Sequence, residues 1–398
     1  MKDFPRLLVA TEFPPNAAGG GAAIVRQMLR EWPAEKLYWW SCFPDRNELF
    51  GRKVAAHRVA LIPEKLYPNR RWRAQKSWLL DAFWLPWAAG HFRQTLEIFK
   101  PEVVWNIPHC WSIPPIARVL PGANIGFHVS IHDYADVQAA VERFGAERSH
   151  QMAVMLNQLY AAATTRDAIC TAMVDDLRQQ TGQDGSIAHA GLEQEDFDYL
   201  SRTPEMPGDA IRIAYAGTVV AAKAFAVFVK ALGGIRSRLP RPLTLDFFGN
   251  DAYRSFGWFD PTWMKEHGNL PAQELSRSLK DCTWGFSPME LTDDNPRYNR
   301  SSLPAKFTSY LAASLPIITL GHPESTVIKM STQYRVGLCL TGNDTEKLGT
   351  QILEALSEPD PKSKYRPEIR RCALEEFDAR RMRAVLYENF TKCVNAFK

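Results

Sequence analysis

A histidine–aspartate pair, two lysines and a serine-rich helix start are the residues of this chain whose types and spacing could do chemistry. His132 and Asp133 follow the apolar stretch 124–131, NIGFHVSI. A histidine at the carboxyl end of a parallel strand lies where α/β proteins place ligands. His128, in mid-strand, reads instead as a core histidine, and Asp133 either orients the His132 ring or caps the next helix. Residues 301–320 read SSLPAKFTSYLAASLPIITL, with Leu303, Phe307, Tyr310, Leu311 and Ser314 at helical spacing. Ser301 or Ser302 can cap that helix, and Pro304 suits its first turn because it lacks a donor that would be unpaired there. Free N–H groups at such a start make an anion site if they face a ligand, and otherwise mark an ordinary helix–strand step. Lys306 lies in that first turn, and Lys223 lies where another helix begins.

These groups need a scaffold, and the chain alternates strands with helices from end to end. Residues 6–11 form a first strand, followed by FPPNAAGGGAAIVRQML. Pro14, Pro15, Gly19, Gly20 and Gly21 read as a loop; Ile24, Val25, Met28, Leu29 and Trp32 then share a helical face. Strand, glycine loop and helix open a Rossmann-like unit, where glycines let the backbone approach a ligand; a surface turn has the same composition. Further strands are expected at 36–40, 102–106 and 124–131, and a helical pattern runs through 151–182. The polar stretch SRTPEMPGD, 201–209, reads as a linker. Beyond it, the strand 211–216 runs into Gly217, and Phe225, Phe228, Val229 and Leu232 share the next helical face. Strands follow at 243–248, 283–287, 316–320 and 336–340, and a final helix at 379–397 carries Met382, Val385, Leu386, Phe390 and Val394. Glu290, Asp293 and Asp294 lie in the loop 288–299, where such clusters are ordinary loop chemistry more often than metal ligands. This order gives an α/β protein of two doubly wound halves.

Bulk properties narrow the function. A chain of 398 residues accommodates two or three domains, and 45% hydrophobic with 23% charged residues is the balance of a globular protein. A net charge of +4 is too small for the concentrated basic stripe expected of a nucleic-acid binder. No apolar run approaches the roughly 20 residues of a membrane helix. Glu12 follows the first apolar run at once, so the N-terminus reads as a strand and not as a secretory signal. Seven widely spaced cysteines without a C-x-x-C pair point to reduced thiols, and so to the cytoplasm. One segment is unusual: Arg70, Arg71, Arg73 and Lys76 are interleaved with Trp72, Trp78, Trp84 and Trp87. This is either a core helix pair with a solvated basic edge, or a face for a membrane–water interface or an anionic, ring-containing acceptor.

The run Ser302, Pro304, Lys306, Tyr310, Leu311, Ala312, Ala313, Pro316, Ile317, Ile318 resembles S-x-P-x-K-x-x-E-Y-L-A-A-x-x-P-I-I. That is a signature of the nucleotide-sugar half of GT-B glycosyltransferases in the retaining family-4 style. Pro14–Gly20 resembles the P-P-x-x-x-G-G of the same proteins, and His132–Asp133 their strand-closing H-D. Lys223, six residues after Gly217, stands at the lysine of their G-R-L-x-x-x-K-G turn. The chain departs from the pattern where Ser309 replaces the ribose-binding glutamate, Ser301 the glutamate eight positions earlier, and Thr218 the arginine. The resemblance implies a GT-B fold, with two Rossmann-like doubly wound domains facing a cleft. It divides the chain into an acceptor domain at 1–200, the linker 201–209, a donor domain at 210–375, and a last helix at 376–398 crossing back. It also implies that His132 reaches the donor sugar, and that Gly217, Thr218, Lys223, Ser301, Ser302 and Lys306 surround the donor diphosphate. Gly19, Gly20 and Gly21 would lie at the cleft, and Arg70, Arg71, Arg73, Trp72 and Trp78 on the acceptor side.

The expected function is transfer of a sugar from a nucleotide-diphosphate sugar, UDP- or GDP-linked by preference, to a hydroxyl of a glycan or lipid-linked glycan. The resemblance implies retention of configuration, and the tryptophan-rich basic segment suggests an acceptor of cell-surface polysaccharide biosynthesis, met at the inner face of the membrane. No metal or other cofactor is required, because a helix dipole and a lysine can stabilise the diphosphate. Two alternatives stand beside it. One is a catalytically degenerate nucleotide-sugar-binding subunit, which the three lost charged contacts favour. The other is a GT-B epimerase, which needs an acid/base pair.

Overall fold

The computed structural model of the chain describes residues 4–17, 20–45, 55–66, 72–136, 138–202, 208–294 and 296–398. It divides into two units, Met1–Ala190 with Arg381–Lys398, and Gly191–Arg380. The first unit carries a parallel sheet of β1 (Leu7–Ala10), β2 (Leu37–Ser41), β3 (Ala56–Val59), β4 (Val103–Asn106), β5 (Phe127–Ile131), β6 (Thr165–Ala168) and β7 (Ser186–Ile187). Their order is β3-β2-β1-β4-β5-β6-β7. The second unit repeats the plan with β8 (Ile211–Ala216), β9 (Leu243–Phe248), β10 (Met264–Glu266), β11 (Trp284–Pro288), β12 (Ile317–Leu320) and β13 (Gly337–Leu340), in the order β10-β9-β8-β11-β12-β13. Helices cover both faces of a parallel sheet, so its central strands read as unbroken apolar runs. LLVA of β1 and IITL of β12 are buried at every position.

Two edge strands, β3 and β10, were not expected from sequence. AHRV of β3 is half-buried throughout, and MKE of β10 is mostly polar. A strand paired on one side only needs no apolar run. Both sheets reverse direction of growth at their centres, between β1 and β4 and between β8 and β11. Such switch points leave a crevice outside the strand carboxyl ends.

Packing fixes what surrounds those crevices. The last helix, Ala379–Asn395, lays Met382, Leu386, Phe390 and Cys393 into the core beneath β1 and β4. In the second unit the Tyr310 ring passes so close to Gly285 that a β-carbon there would come within 2.5 Å of it. The Tyr310 hydroxyl accepts the Ala216 N–H at 2.9 Å, tying the helix Ala305–Ala312 to the end of β8.

Two helix starts differ from the expected ones. The helix Gly20–Met28 begins at Gly20, so Gly20 and Gly21 belong to its first turn and not to a loop; Gly19 lies outside the described residues. Gly21 sits against the Phe13 ring, 3.3 Å from where its β-carbon would be. Neither Ser301 nor Ser302 caps the helix Ala305–Ala312, whose N-cap is Pro304 without a side-chain bond. Ser301 instead ends a preceding helix, Pro296–Ser301, and the Ser302 N–H continues it to the Tyr298 carbonyl at 2.9 Å. Pro304 then excludes Leu303 from the helical region, delaying the next helix.

Candidate functional site

Each unit has its chemistry at its own switch point. In the first, β1 leads into Thr11, Glu12 and Phe13, and β4 into Ile107, Pro108 and His109. A cavity of about 210 Å³ opens there, lined by Phe13, Gly21, Ile107, His109, His132 and Asp133 among others. Glu12 was not singled out from the sequence as a site residue, nor was His109, yet their side chains are hydrogen-bonded to each other in this crevice. The His109 Nδ1 lies 2.8 Å from the Glu12 carboxylate, whose side chain is 7% exposed against 41% for the imidazole. The other Glu12 oxygen accepts the Trp111 N–H at 3.2 Å, and its carbonyl accepts the Cys42 N–H. The His109 backbone is held by Ser112, whose hydroxyl accepts the His109 N–H and donates to its carbonyl. Burial opposes the His109 cation, but hydrogen bonds with Cys110 and Glu12 outweigh it and lift its pKa well above the ordinary 6.5.

His132 shares the cavity and is held in the opposite way. Among the described residues its buried Nδ1 has no hydrogen-bond partner. Burial lowers its pKa to about 4, with Asp167 opposing and His109 and His189 adding to the fall. His128 is the satisfied core histidine expected, bonded to Thr165 at 2.8 Å and Asp167 at 2.9 Å.

In the second unit β8 ends at Ala216, and Gly217 turns the chain with φ +96°, a conformation that favours glycine. Tyr253 donates to the Gly217 carbonyl at 2.7 Å, and Asp251 accepts the Val219 N–H at 2.6 Å, fixing the turn. Lys306 reaches this turn from the first turn of its helix. Its Nζ donates to the Tyr215 hydroxyl at 3.0 Å and lies 4.4 Å from the centroid of that ring. Tyr215 in turn donates to the Thr218 carbonyl. Among the described residues Lys306 has no carboxylate in salt-bridge range, and burial lowers its pKa to about 8, with Asp251 the opposing charge. Lys223 is exposed in the first turn of the helix Ala222–Ile235, facing Glu290 closely enough to offset part of the rise that burial causes in that carboxyl. Thr218 is exposed, with no charge to stand in for an arginine. Gly217, Lys306 and Thr218 are therefore gathered at one turn. Ser301 is buried behind it, and Ser309 bonds back to the Ala305 carbonyl.

Of the basic, tryptophan-rich segment, Arg70 and Arg71 lie outside the described residues. Arg73 donates to the Glu142 carbonyl at 2.8 Å. Trp84 is buried and bonds the Leu61 carbonyl, whereas Trp72, Trp78, Phe83 and Trp87 are 60, 62, 66 and 51% exposed. A π-helical turn, Leu80–Trp84, carries Phe83 beside Trp78. Among the described residues, Glu12, His109 and Cys110 bring His, Cys and carboxylate donors within 4.8 Å of one another. Both Glu12 oxygens are already engaged, so the group stands as a hydrogen-bonded network. Asp293 pairs with Arg300 of the following helix, and Asp294 accepts from the Thr292 hydroxyl within the loop. No described helix is long and apolar enough to cross a membrane, and all seven cysteines are free thiols.

Solved structures share this architecture over nearly the whole chain. A sucrose-phosphate synthase from Thermosynechococcus elongatus superposes with a TM-score of 0.70 at 14% identity, over 98% of this chain and 99% of that one. A glycosyltransferase from Rickettsia africae gives 0.66 at 12% identity, over 97% of each chain. The chain has the GT-B fold. A UDP-forming α,α-trehalose-phosphate synthase from Burkholderia vietnamiensis gives 0.61 at 12% identity, over 98% of this chain and all of that one. No protein-family model matches the chain, and no curated protein matches it in sequence. The kinship is thus visible in the GT-B fold alone.

Proposed function

We propose that this GT-B chain is a glycosyltransferase that moves a sugar from a nucleotide-diphosphate sugar to a hydroxyl acceptor. The observation that carries the reading is Lys306, a half-buried cation without a carboxylate partner at the switch-point turn of the second sheet. A buried charge normally finds a counter-charge, and one without it is completed by an anionic ligand. A diphosphate supplies that anion, with Lys223 as a second cation and the free N–H groups after Pro304 as donors. Names among the similar folds agree, since one is a UDP-forming synthase and others are a glycosyltransferase and a sucrose-phosphate synthase. UDP and GDP are the favoured carriers, and the first unit receives the acceptor.

The acceptor is read as a glycan or lipid-linked glycan of cell-surface polysaccharide assembly, met at the inner membrane face. The support is the exposed row of Trp72, Trp78, Phe83 and Trp87 beside basic residues, since tryptophan favours the membrane–water interface. A protein that stays off anionic liposomes at low salt would remove that part. A second reading is a degenerate nucleotide-sugar-binding subunit, which Thr218, Ser301 and Ser309 favour because each replaces a charged donor contact.

Thermal unfolding against UDP, GDP, ADP, CMP and dTDP tests the proposal. A ligand of the native state at a hundredfold excess over its Kd stabilises by about 2.7 kcal/mol. The expected outcome is a shift selective for one base, lost in Lys306→Met and reduced in Lys223→Ala. No shift with any nucleotide would sink the reading.

A further inference from the structure

The exposed aromatic row of the first unit is built by an irregular helix. From Arg73 to Phe99 the backbone is helical without a break, but the π-helical turn Leu80–Trp84 interrupts the α pattern. Pro86 accounts for its place, because proline has no N–H to bond the Ala82 carbonyl and its ring crowds that oxygen. One residue earlier the Leu85 N–H bonds the Leu80 carbonyl, five positions back, which widens the helix just before the proline.

The widened turn decides which side chains face outward. In a regular α-helix Trp78 and Phe83 would point about 140° apart, because each residue turns the chain by about 100°. Across the π turn they lie together, their ring centroids 6.2 Å apart and edge to face. Trp87 follows Phe83 by four residues and so falls on the same side again. Trp84 is carried inward, against Trp111, and bonds the carbonyl of Leu61, whose own side chain is exposed. Trp72 precedes the helix at φ +61°, a left-handed conformation unfavourable for a bulky residue, and no packing of its exposed ring offsets that cost.

Apolar rings gathered on one exposed face mark a surface that is covered in use. The charges beside them say by what. Residues 72–93 carry Arg73, Lys76 and Arg93 against one acid, Asp81, which Arg148 neutralises at 2.6 Å. Arg73 itself donates to a neutral group, the Glu142 carbonyl. A second copy of the chain would bring the same cations to face these, which opposes a symmetric dimer. An anionic lipid surface suits both parts, with cations among the headgroups and rings at the boundary with the acyl chains.

We propose that the helix 73–99 docks this protein on an anionic bilayer, with Trp78, Phe83 and Trp87 inserted at the headgroup–acyl boundary and the π turn holding them in one row. The inference rests on the membrane part of the proposed function, deepens it, and depends on nothing in the donor site. Insertion of the rings carries the binding and charge assists it, because Arg73 and Lys76 are half-buried against the protein while the rings stand exposed.

The test sediments the full chain with vesicles of phosphatidylcholine and phosphatidylglycerol, and with vesicles of phosphatidylcholine alone. Binding is expected to the mixed vesicles at low salt, weakened but not abolished as salt screens the cations. Trp78→Ser, Phe83→Ser and Trp87→Ser should each weaken it about tenfold, and Lys76→Gln about fivefold, with the thermal midpoint of the parent retained. Lipids brominated along the acyl chains should quench the tryptophan fluorescence of the parent. That quenching should largely vanish in the double variant Trp78→Phe, Trp87→Phe, which still binds. No binding to the mixed vesicles overturns the inference, as does binding that Lys76→Gln removes and the serine variants keep. A parent that forms dimers, abolished by Trp78→Ser, overturns the lipid surface in favour of a second copy. Vesicle binding without a nucleotide-induced thermal shift keeps the inference and sinks the donor reading, and the shift without vesicle binding does the reverse.

Discussion

The two switch points are topologically equivalent and electrostatically opposite. At the end of β1 and β4, Glu12 and His109 satisfy each other, and the backbone around them is clamped. At the end of β8, Lys306 meets a tyrosine hydroxyl and ring, with Asp251 the nearby opposing charge and no carboxylate within salt-bridge range among the described residues. A satisfied network contributes to the stability of the empty protein, whereas an unpaired buried cation detracts from it. The difference teaches that one crevice is internally satisfied, and that the other holds a cation which, on the proposed reading, a ligand completes. Changing either side without ligand should therefore move stability in opposite directions.

The largest effect is expected for Glu12→Gln. The amide keeps an acceptor for one N–H but loses the charge that holds the His109 cation, which should cost about 2 kcal/mol in denaturant unfolding near pH 6. His109 has a raised folded pKa, so its stabilisation is complete below about 6.5 and is lost as pH rises through the raised value. The cost of Glu12→Gln should shrink accordingly in alkaline buffer. The ring is 41% exposed, so solvent screens part of the effect. A cost independent of pH would show that Glu12 only fills space.

His57, on the edge strand β3 and bonded to the Ser41 hydroxyl, and His132 give the next effect, with the opposite sign. Burial lowers both to about 4, so the unfolded chain takes up their protons first as pH falls. Stability should drop between about 6.5 and 4, by roughly 1–2 kcal/mol in all once water penetration is allowed for. His57→Gln and His132→Gln should each flatten that limb of the stability profile. An unchanged acid limb in His132→Gln would mean that burial does not lower the His132 pKa.

How much of this was legible in sequence varies with range. The strand 211–216 and its run into Gly217 were readable because apolar runs and turn glycines are local signals. Lys306 was found through a motif, but its lack of a counter-ion was not, since that depends on Tyr215, which is 91 residues away. The expected serine cap was wrong because Ser301 belongs to a preceding helix, and a cap signal does not say which helix owns it. Glu12 and His109 are 97 residues apart and meet only because β4 inserts beside β1. A signal existed: each lies within three residues of the end of one of the two strands flanking the switch point. Using it requires the strand order, which pairing across a crossover determines and local composition does not. The basic, aromatic segment reads either as a core helix pair or as an interaction face, because periodicity does not say which tryptophans turn inward; Trp72, Trp78 and Trp87 are exposed, whereas Trp84 is buried against Trp111.

The smallest effect sharpens the comparison most, because it is a gain. Lys306→Met keeps the length of the side chain and removes a charge that the empty protein holds at a cost. The folded pKa of Lys306 is depressed to about 8 from 10.5, so its penalty is complete below about 8 and relieved as pH rises towards 10.5. At neutral pH the variant should be more stable by about 1 kcal/mol, less than the full shift implies, because Tyr215 already compensates part of the charge. The gain should fade above pH 10, where the parent lysine is itself neutral. The same variant is expected to lose the nucleotide-induced shift, so stability and binding would move apart at one residue. That separation marks a group kept for its ligand and against the fold. A variant less stable at neutral pH would instead make Lys306 part of the scaffold, and the two switch points would then be alike.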